Sequence, residues 1–261
     1  MYFNYNIKNL KILNTIPYAI FEIPNFLTEE SYSLLSKSFS SKEDLENLDS
    51  NFINNLKFSY NSSTDFYKKK LEINLSAKTF HNKVFSKEFI SFFYNNFKPF
   101  FNLARKDDLL YLLKIKLRPK LFLTESSKQS WFKKVFFSKI TPQIEYSYLM
   151  NNAKIVPHTD SRSKLISLML YFPEEQLEPE ISNSLGTTFY LSKDKNLKNK
   201  HLDNLNDQNE FKRNSKKLLT LPFNKKSLYG FVRSSNSWHT VEQFNISENF
   251  IRKSININLY M

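Results

Sequence analysis

Short runs in which apolar and polar residues alternate dominate the C-terminal half of the chain. Residues 252–260 alternate strictly, residues 165–172 form a solid apolar run, and glycines 186 and 230 adjoin two further runs. Several short strands separated by turn signals are typical of a β-sandwich or a jelly roll. The strands predicted in this half lie at residues 144–150, 165–172, 187–191, 227–232 and 252–260.

The alternation in the last predicted strand allows two orientations. Arg252, Ser254, Asn256 and Asn258 share one face, and the opposite face is mainly apolar. An ordinary sheet would expose the polar face to water and bury the apolar face. In a jelly roll that holds a polar ligand, the polar face points inward and the apolar face packs beneath the N-terminal helices. We favour the second orientation because of the motif described below.

The N-terminal half combines helical and extended patterns. A strand is predicted at residues 18–24, and Thr28 is a suitable N-cap for a helix that begins with two glutamates. A second helix is predicted from about Ser86, with three phenylalanines on one face, and is expected to end before Pro99. The polar stretch at 42–70 is predicted to be irregular. Residues 1–139 are therefore expected to support a jelly-roll core at 140–261, within one domain spanning 1–261.

The composition narrows the chemistry that is available. The chain of 261 residues has no cysteine, which leaves histidine and carboxylate side chains as metal ligands. No apolar run is long enough to span a membrane, and the N-terminus lacks the pattern of a signal peptide. We therefore expect a cytoplasmic protein that has no membrane partner.

The formal net charge of +13 is unevenly distributed. Residues 193–226 contain ten Lys or Arg residues against four Asp or Glu residues, which accounts for six of these charges. The segment is polar and is predicted to be a mobile insertion, either a lid or a solvated tether. Its charge keeps nucleic acid open as a partner, although a solvated basic surface is the favoured interpretation.

One short motif carries candidate metal chemistry. His158 and Asp160 are two residues apart, so both side chains leave the same face of an extended segment, and His239 follows in a later strand. Two imidazoles and one carboxylate form a facial triad, which suits a non-haem Fe(II) centre with open coordination positions. A second motif of the same form, His201-Leu202-Asp203, has no predicted strand around it and is interpreted as a surface coincidence.

A candidate anion site follows the second histidine. Arg252 comes 13 residues after His239, and Ser254 lies on the same side of the predicted strand. A planar guanidinium can bind a carboxylate through two parallel hydrogen bonds, and a serine hydroxyl can add a third. These residues are predicted to hold a dicarboxylate. Tyr148 is a weaker candidate for a further hydrogen bond to it.

The order of these motifs resembles that of the Fe(II)/2-oxoglutarate-dependent dioxygenases, in particular the branch that includes prolyl 4-hydroxylases. The resemblance covers about 140–261, and more faintly the N-terminal strand-to-helix connection at 23–30. Two features depart from that branch, which often uses lysine where this chain has Arg252 and is glycine-rich where this chain has Asn151 and Asn152. Both departures concern the substrate class.

The resemblance implies a mainly β fold with flanking helices, namely a double-stranded β-helix (jelly roll) with N-terminal helices packed on one sheet. It also implies Fe(II) bound by His158, Asp160 and His239, with 2-oxoglutarate and O₂ as co-substrates. The expected reaction yields succinate and CO₂ and hydroxylates an unactivated C–H bond.

The sequence does not identify the substrate. A prolyl or other side chain of a peptide or protein, a free amino acid, a lipid-like small molecule and a modified nucleobase all remain open, and the oligomeric state is not predicted. The alternative function is a non-catalytic jelly-roll module that engages a partner or nucleic acid through its basic insertion.

Overall fold

Two antiparallel β-sheets form the centre of the molecule. The structure is a computed structural model that describes residues 3–5, 7–48, 56–104, 140–174, 177–194, 197 and 201–261. The described strands are β1 (Lys11–Asn14), β2 (Ile20–Ile23), β3 (Lys57–Asn61), β4 (Thr141–Met150), β5 (Ile155–His158), β6 (Lys164–Tyr171), β7 (Thr188–Ser192), β8 (Ser215–Thr220), β9 (Leu228–Val232), β10 (Trp238–Val241) and β11 (Ile251–Tyr260).

The strands of the C-terminal half move repeatedly between the two sheets. The larger sheet has the order β1-β2-β9-β6-β11-β4-β3, and the smaller sheet has the order β5-β10-β7-β8. Along the chain, β4, β6, β9 and β11 enter the larger sheet, while β5, β7, β8 and β10 enter the smaller one. An apolar cluster with residues from both sheets, including Tyr229 and Phe231 from β9 and Phe189 from β7, packs between them. The prediction of a mainly β fold with two layers is confirmed.

The last strand has its polar face inside. Arg252, Ser254, Asn256 and Asn258 line a cavity between the sheets. On its other face, Ile255 and Ile257 belong to the core cluster that also contains the phenylalanines of the N-terminal helices. The orientation favoured from the sequence is therefore confirmed.

Helices cover the outer face of the larger sheet and one side of the smaller sheet. They are α1 (Glu29–Ser36), α2 (Lys42–Leu48), α3 (Asp65–Ile73), α4 (Leu75–Val84), α5 (Lys87–Ala104), α6 (Pro179–Ser184) and α7 (Leu205–Arg213), with a short 3-10 helix at Ile7–Asn9. Thr28 caps α1 as predicted, since its hydroxyl accepts a hydrogen bond from the Ser31 amide at 3.2 Å. None of the helices in the described part of the chain has both the length and the apolar character needed to cross a bilayer.

The predicted end of the second helix was wrong. Helix α5 continues through Pro99 to Ala104. Proline removes one backbone hydrogen bond and usually costs about 3 kcal/mol in a helix interior. The apolar face nevertheless runs across this position, because Phe97 and Phe101 on either side of the proline are both fully buried. Burial of large aromatic side chains outweighs the local cost.

The region at 42–70 was also predicted wrongly as irregular. Its described part contains α2, β3 and the start of α3. Local signals at the helix starts support this structure: the Ser41 hydroxyl accepts from the Asp44 amide, and the Thr64 hydroxyl accepts from the Tyr67 amide. Strand β3 forms because β4 is available beside it, with Tyr60 opposite Tyr146. A pairing between strands so far apart in the sequence produces no local pattern of apolar and polar residues from which β3 could be predicted.

The basic insertion at 193–226, predicted to be a mobile polar segment, has regular secondary structure in its described part. It contains α7 and β8, and β8 pairs with β7 along its whole length. Leu202 and Phe211 pack with Trp238 in a small apolar cluster on the outside of the smaller sheet. Few apolar residues are needed to hold the described part of this segment, because Leu202 and Phe211 lie at positions that reach the sheet.

Both glycines of the chain lie where two backbones or a ring approach closely. A Cβ atom at Gly186 would lie 1.6 Å from the Leu221 carbonyl oxygen, and one at Gly230 would lie 2.3 Å from the Phe21 ring. Gly230 is the partner of Phe21 in the β2–β9 pair. The missing side chain therefore makes room for a core phenylalanine, which in turn packs against α5 through Phe97 at a ring distance of 4.1 Å.

Candidate metal and anion site

Two histidines meet across a pair of strands in the smaller sheet. His158 ends β5, His239 lies in β10, and the two residues are register partners. Their ring centroids are 4.2 Å apart. Each Nδ1 atom donates to a backbone carbonyl two residues earlier, at 2.9 Å for His158 to Val156 and at 3.0 Å for His239 to Ser237. These bonds fix both rings with the Nδ1 atom protonated, so the Nε2 atoms carry the free lone pairs.

The environment keeps both imidazoles neutral. Burial, together with the neighbouring His239, lowers the pKa of His158 to about 3. Burial also lowers the pKa of His239. A neutral imidazole is the form that coordinates a metal ion.

Asp160 brings a carboxylate to the same point and is held from two sides. Lys164 Nζ lies 2.6 Å from one carboxylate oxygen, and the Ser167 hydroxyl donates to the other at 2.7 Å. Burial alone would raise the pKa of Asp160. The positive charge of Lys164, with the hydrogen bonds from Lys164 and Ser167, outweighs burial and lowers this pKa well below the ordinary range. The carboxylate is therefore ionised.

The three side chains form one candidate metal centre. One ligand atom from each of His158, Asp160 and His239 lies within 4.8 Å of the other two. Two neutral nitrogens and one anionic oxygen are a donor set that suits iron and similar divalent transition metals. All three residues line a cavity of about 240 Å³ between the sheets. The structure thus brings together the three residues that the sequence singled out.

Arg252 is a buried cation in the wall of the same cavity. Its guanidinium carbon lies 5.0 Å from the Tyr171 ring centroid and 5.1 Å from that of Phe223, and its Nε atom donates to the Leu185 carbonyl at 2.6 Å. The side chain is 2% exposed. Among the described residues no carboxylate forms an ion pair with it, and burial lowers its pKa.

A buried guanidinium without a counter-charge is costly, so this position favours an anionic ligand. Ser254, which follows on the same face of β11, also lines the cavity and is 2% exposed. The two residues predicted to hold a dicarboxylate therefore face the same space as the metal triad.

Tyr148 does not belong to this site. It is the register partner of Lys253, and its side chain projects from the helix-covered face of the sheet. Its hydroxyl accepts a hydrogen bond from the Ser40 amide at 3.0 Å. The prediction that Tyr148 contacts the co-substrate is therefore corrected. Its neighbour Ser147 faces the cavity instead.

Several residues of the site were missed from the sequence. Lys164 and Ser167 anchor Asp160, and Tyr171, whose hydroxyl lies 2.7 Å from that of Thr187, stacks on Arg252. Ser167 and Tyr171 both lie in the apolar run of β6. These two polar residues are four positions apart. Because residues an even number apart share a face of a strand, this spacing was the signal that both could face a common site.

His201 also lies closer to the site than predicted. It forms an isolated β-bridge with His158, and the two ring centroids are 5.6 Å apart. Its side chain is 56% exposed and pairs with Asp203 at 2.9 Å. Within the described residues the second motif therefore lies outside the strands, as predicted, with His201 and Asp203 exposed and Leu202 buried beneath them.

Comparisons with known proteins give only distant similarity. No protein-family model matches the sequence, and no curated protein matches it. Similar solved structures include a prolyl-4-hydroxylase from Pseudomonas putida, with a TM-score of 0.29 and 13% identity over 46% of this chain and 49% of that protein. The alignment therefore spans about half the length of that protein.

Two further structures match over most of the chain. A prolyl hydroxylase from Trichoplax adhaerens, solved with a peptide fragment of hypoxia inducible factor, gives a TM-score of 0.42 and 11% identity over 95% of this chain and 85% of that protein. HygX from Streptomyces hygroscopicus, solved with nickel and 2-oxoglutarate, gives a TM-score of 0.45 and 8% identity over 92% of this chain and 82% of that protein. The site geometry above, and not these values, supports the function proposed next.

Proposed function

We propose that this protein is an Fe(II)- and 2-oxoglutarate-dependent oxygenase that hydroxylates its substrate. The observation that carries the proposal is one cavity that contains both the His158, Asp160 and His239 triad and the buried guanidinium of Arg252. A triad alone fits many metal sites. A triad beside an uncompensated buried cation fits a metal site that also takes an anionic co-substrate.

The strand order supports a double-stranded β-helix for this fold. Strands β4 to β11 pass between two four-stranded layers, β9-β6-β11-β4 and β5-β10-β7-β8, and only β7 and β8 follow each other within one layer. Such a jelly roll presents an inner face from each layer to a common cavity. The N-terminal strands β1, β2 and β3 extend the larger layer at both of its edges.

His158, Asp160 and His239 would hold the metal through two Nε2 atoms and one carboxylate oxygen. Three protein ligands leave up to three positions of an octahedral ion open. When bound, ferrous iron supplies the oxygen chemistry that couples decarboxylation of 2-oxoglutarate to oxidation of a C–H bond. The chain fixes the ligand geometry, because the backbone carbonyls hold both imidazoles while Lys164 and Ser167 hold the carboxylate.

Arg252 and Ser254 would bind the distal carboxylate of 2-oxoglutarate. The guanidinium stacks on Tyr171 and Phe223 and is tied to the Leu185 carbonyl, so it is preorganised for this role. Little side-chain entropy is then lost on binding. Charge-assisted hydrogen bonds of this kind contribute about 1.5–3 kcal/mol.

Apolar residues surround the metal side of the cavity. Met169 and Phe231 from the larger sheet face Ile155 and Val241 from the smaller one. These side chains limit the access of water, which strengthens electrostatic interactions inside the cavity and excludes competing reactions.

Anaerobic reconstitution with Fe(II), followed by addition of 2-oxoglutarate and O₂, tests the proposal. We expect succinate to form, even without substrate, at a slow rate that His158→Ala abolishes. A wild-type protein that binds neither Fe(II) nor 2-oxoglutarate would contradict the proposal and favour a non-catalytic module.

A further inference from the structure

Part of the cavity wall carries polar side chains that the proposed iron and co-substrate sites do not use. Glu145 and Ser147 lie on β4, and Asn256 and Asn258 lie on β11. Glu145 and Asn256 are register partners, so their side chains stand next to each other on the inner face. The four groups thus form one continuous polar surface, which we name the polar wall.

The side chains of the polar wall have no partners within the described part of the chain. None of the four donates or accepts a side-chain hydrogen bond there, and Glu145 forms no ion pair with a described cation. Ser147 is 2% exposed and Asn258 is 6% exposed. Buried polar groups are nearly always hydrogen-bonded in folded proteins, so groups that face a cavity without protein partners are available to bind a polar ligand.

The charges around the cavity limit what this ligand can be. Arg252 is assigned to the co-substrate, and Lys164 is paired with Asp160 at 2.6 Å. Lys57 also lines the cavity, but it is the register partner of Leu149, four residues along β4 from Glu145. Glu145 is therefore left as a negative charge without a positive partner. An anionic group would be repelled here, and an apolar group would leave four polar side chains unsatisfied.

We propose that the substrate carries a protonated amine that binds to Glu145, with the side-chain oxygens of Asn256 and Ser147 as further acceptors. An ammonium group has three donors and no acceptor, which matches three oxygens from three neighbouring side chains. Asn258 is the register partner of Ser167, whose hydroxyl donates to Asp160. Asn258 would therefore position the part of the substrate that lies nearer the metal ligands. This inference rests on the proposed function, since it assigns the substrate class of the same site.

Saturation-transfer NMR on the metal-free protein tests the proposal without turnover. The probes are matched pairs of primary amines and neutral analogues: 1,4-diaminobutane with 1,4-butanediol, L-lysine with L-norleucine, and glucosamine with glucose. We expect at least one amine to bind more tightly than its neutral analogue. Glu145→Gln should raise the Kd of that amine about 10- to 100-fold, because it removes a charge-assisted bond.

Glu72→Gln, which removes an exposed carboxylate on α3, is the matched control and should leave the Kd unchanged. Thermal unfolding and Co(II) binding of Glu145→Gln should both equal those of the wild type, because Glu145 touches neither core nor metal ligands. If no amine binds better than its analogue, or if Glu145→Gln leaves amine binding intact, the proposal is wrong. A protein that binds the amine through Glu145 but takes up no metal would instead contradict the proposed oxygenase function.

Discussion

His158 and His239 stand directly opposite each other in the β5–β10 pair, with ring centroids 4.2 Å apart, although they are far apart in the sequence. The hydrogen bonds of a sheet therefore set the distance between two candidate metal ligands. Because adjacent strands have a fixed separation, this distance does not depend on flexible loops. The site should be formed before metal binds.

Replacement of one of these ligands should remove metal binding. We expect His158→Ala to weaken the binding of Co(II) by at least 100-fold, since two ligands cannot complete the facial triad. Isothermal titration calorimetry under anaerobic conditions measures this change. The control is His81→Ala, because His81 hydrogen-bonds to Tyr67 at 3.1 Å and stacks on Phe85 away from the triad. Equal Co(II) affinity in wild type and His158→Ala would refute the assignment.

The anchoring of Asp160 should also affect metal affinity. Ser167→Ala removes the hydroxyl that donates to Asp160 at 2.7 Å. Loss of such an outer hydrogen bond typically lowers metal affinity about 10- to 100-fold. Ser161→Ala is a suitable control because Ser161 is exposed and contacts Ser163, not the carboxylate. Titration with Co(II) should show a lower metal affinity for Ser167→Ala than for Ser161→Ala. A Ser167→Ala variant with wild-type affinity would show that metal binding does not depend on this hydrogen bond.

Arg252→Met should distinguish the effect of the guanidinium on protein stability from its role in binding 2-oxoglutarate. Methionine has a comparable length without the charge, so the variant should unfold at the same temperature as the wild type or above it when no anion is present. Addition of 2-oxoglutarate at about 100 times its Kd to the Ni(II)-loaded wild type should raise the Tm by roughly 5 °C. The variant should show no such rise in differential scanning fluorimetry. A rise of the same size in Arg252→Met would mean that the co-substrate binds elsewhere.

Lys70 gives a prediction about stability that is independent of the site. Its ammonium group lies 5.0 Å from the Tyr146 ring centroid in the helix-covered core, and burial lowers its pKa to about 8. In the unfolded chain the pKa is near 10.4, so the unfolded state binds more protons between these two values. The contribution of Lys70 to the free energy of unfolding should therefore rise with pH across the window from about 8 to about 10.4.

Lys70→Met should remove this dependence. At pH 7 we expect the variant to be more stable than the wild type by about 1–3 kcal/mol, and the difference should shrink at pH 10. Urea unfolding at both pH values measures the two free energies. Lys69→Met, an exposed neighbour on α3, should behave like the wild type at both. A difference in stability between wild type and Lys70→Met that is the same at pH 7 and pH 10 would contradict the prediction.

Some features of the site could be predicted from local sequence because they depend on a single strand. The strict alternation of β11 placed Arg252 and Ser254 on one face, and the two-residue spacing placed His158 and Asp160 together. Alternation alone could not decide the face of Tyr148. Both faces of β4 carry large residues, such as Tyr148 and Leu149, and only the helices above the sheet determine which face receives the tyrosines.

The helix boundaries illustrate the same limit. Pro99 is a strong local signal for the end of a helix, yet α5 continues because Phe97 and Phe101 are buried against the sheet. Strand β3 has a polar sequence and forms beside β4. In both places a tertiary contact contributes more free energy than the local preference.

The sequence by itself determined the types of chemical group, their order, and which of them share a face within one strand. Backbone geometry has a fixed period, so these properties follow from spacing along the chain. Only the tertiary structure decided which strands are neighbours, and hence that His239 meets His158, that His201 lies beside them, and that Ser167 and Lys164 hold Asp160. Those contacts join residues through strand pairing and through burial in a shared cavity, and neither has a signature in the local order of residues.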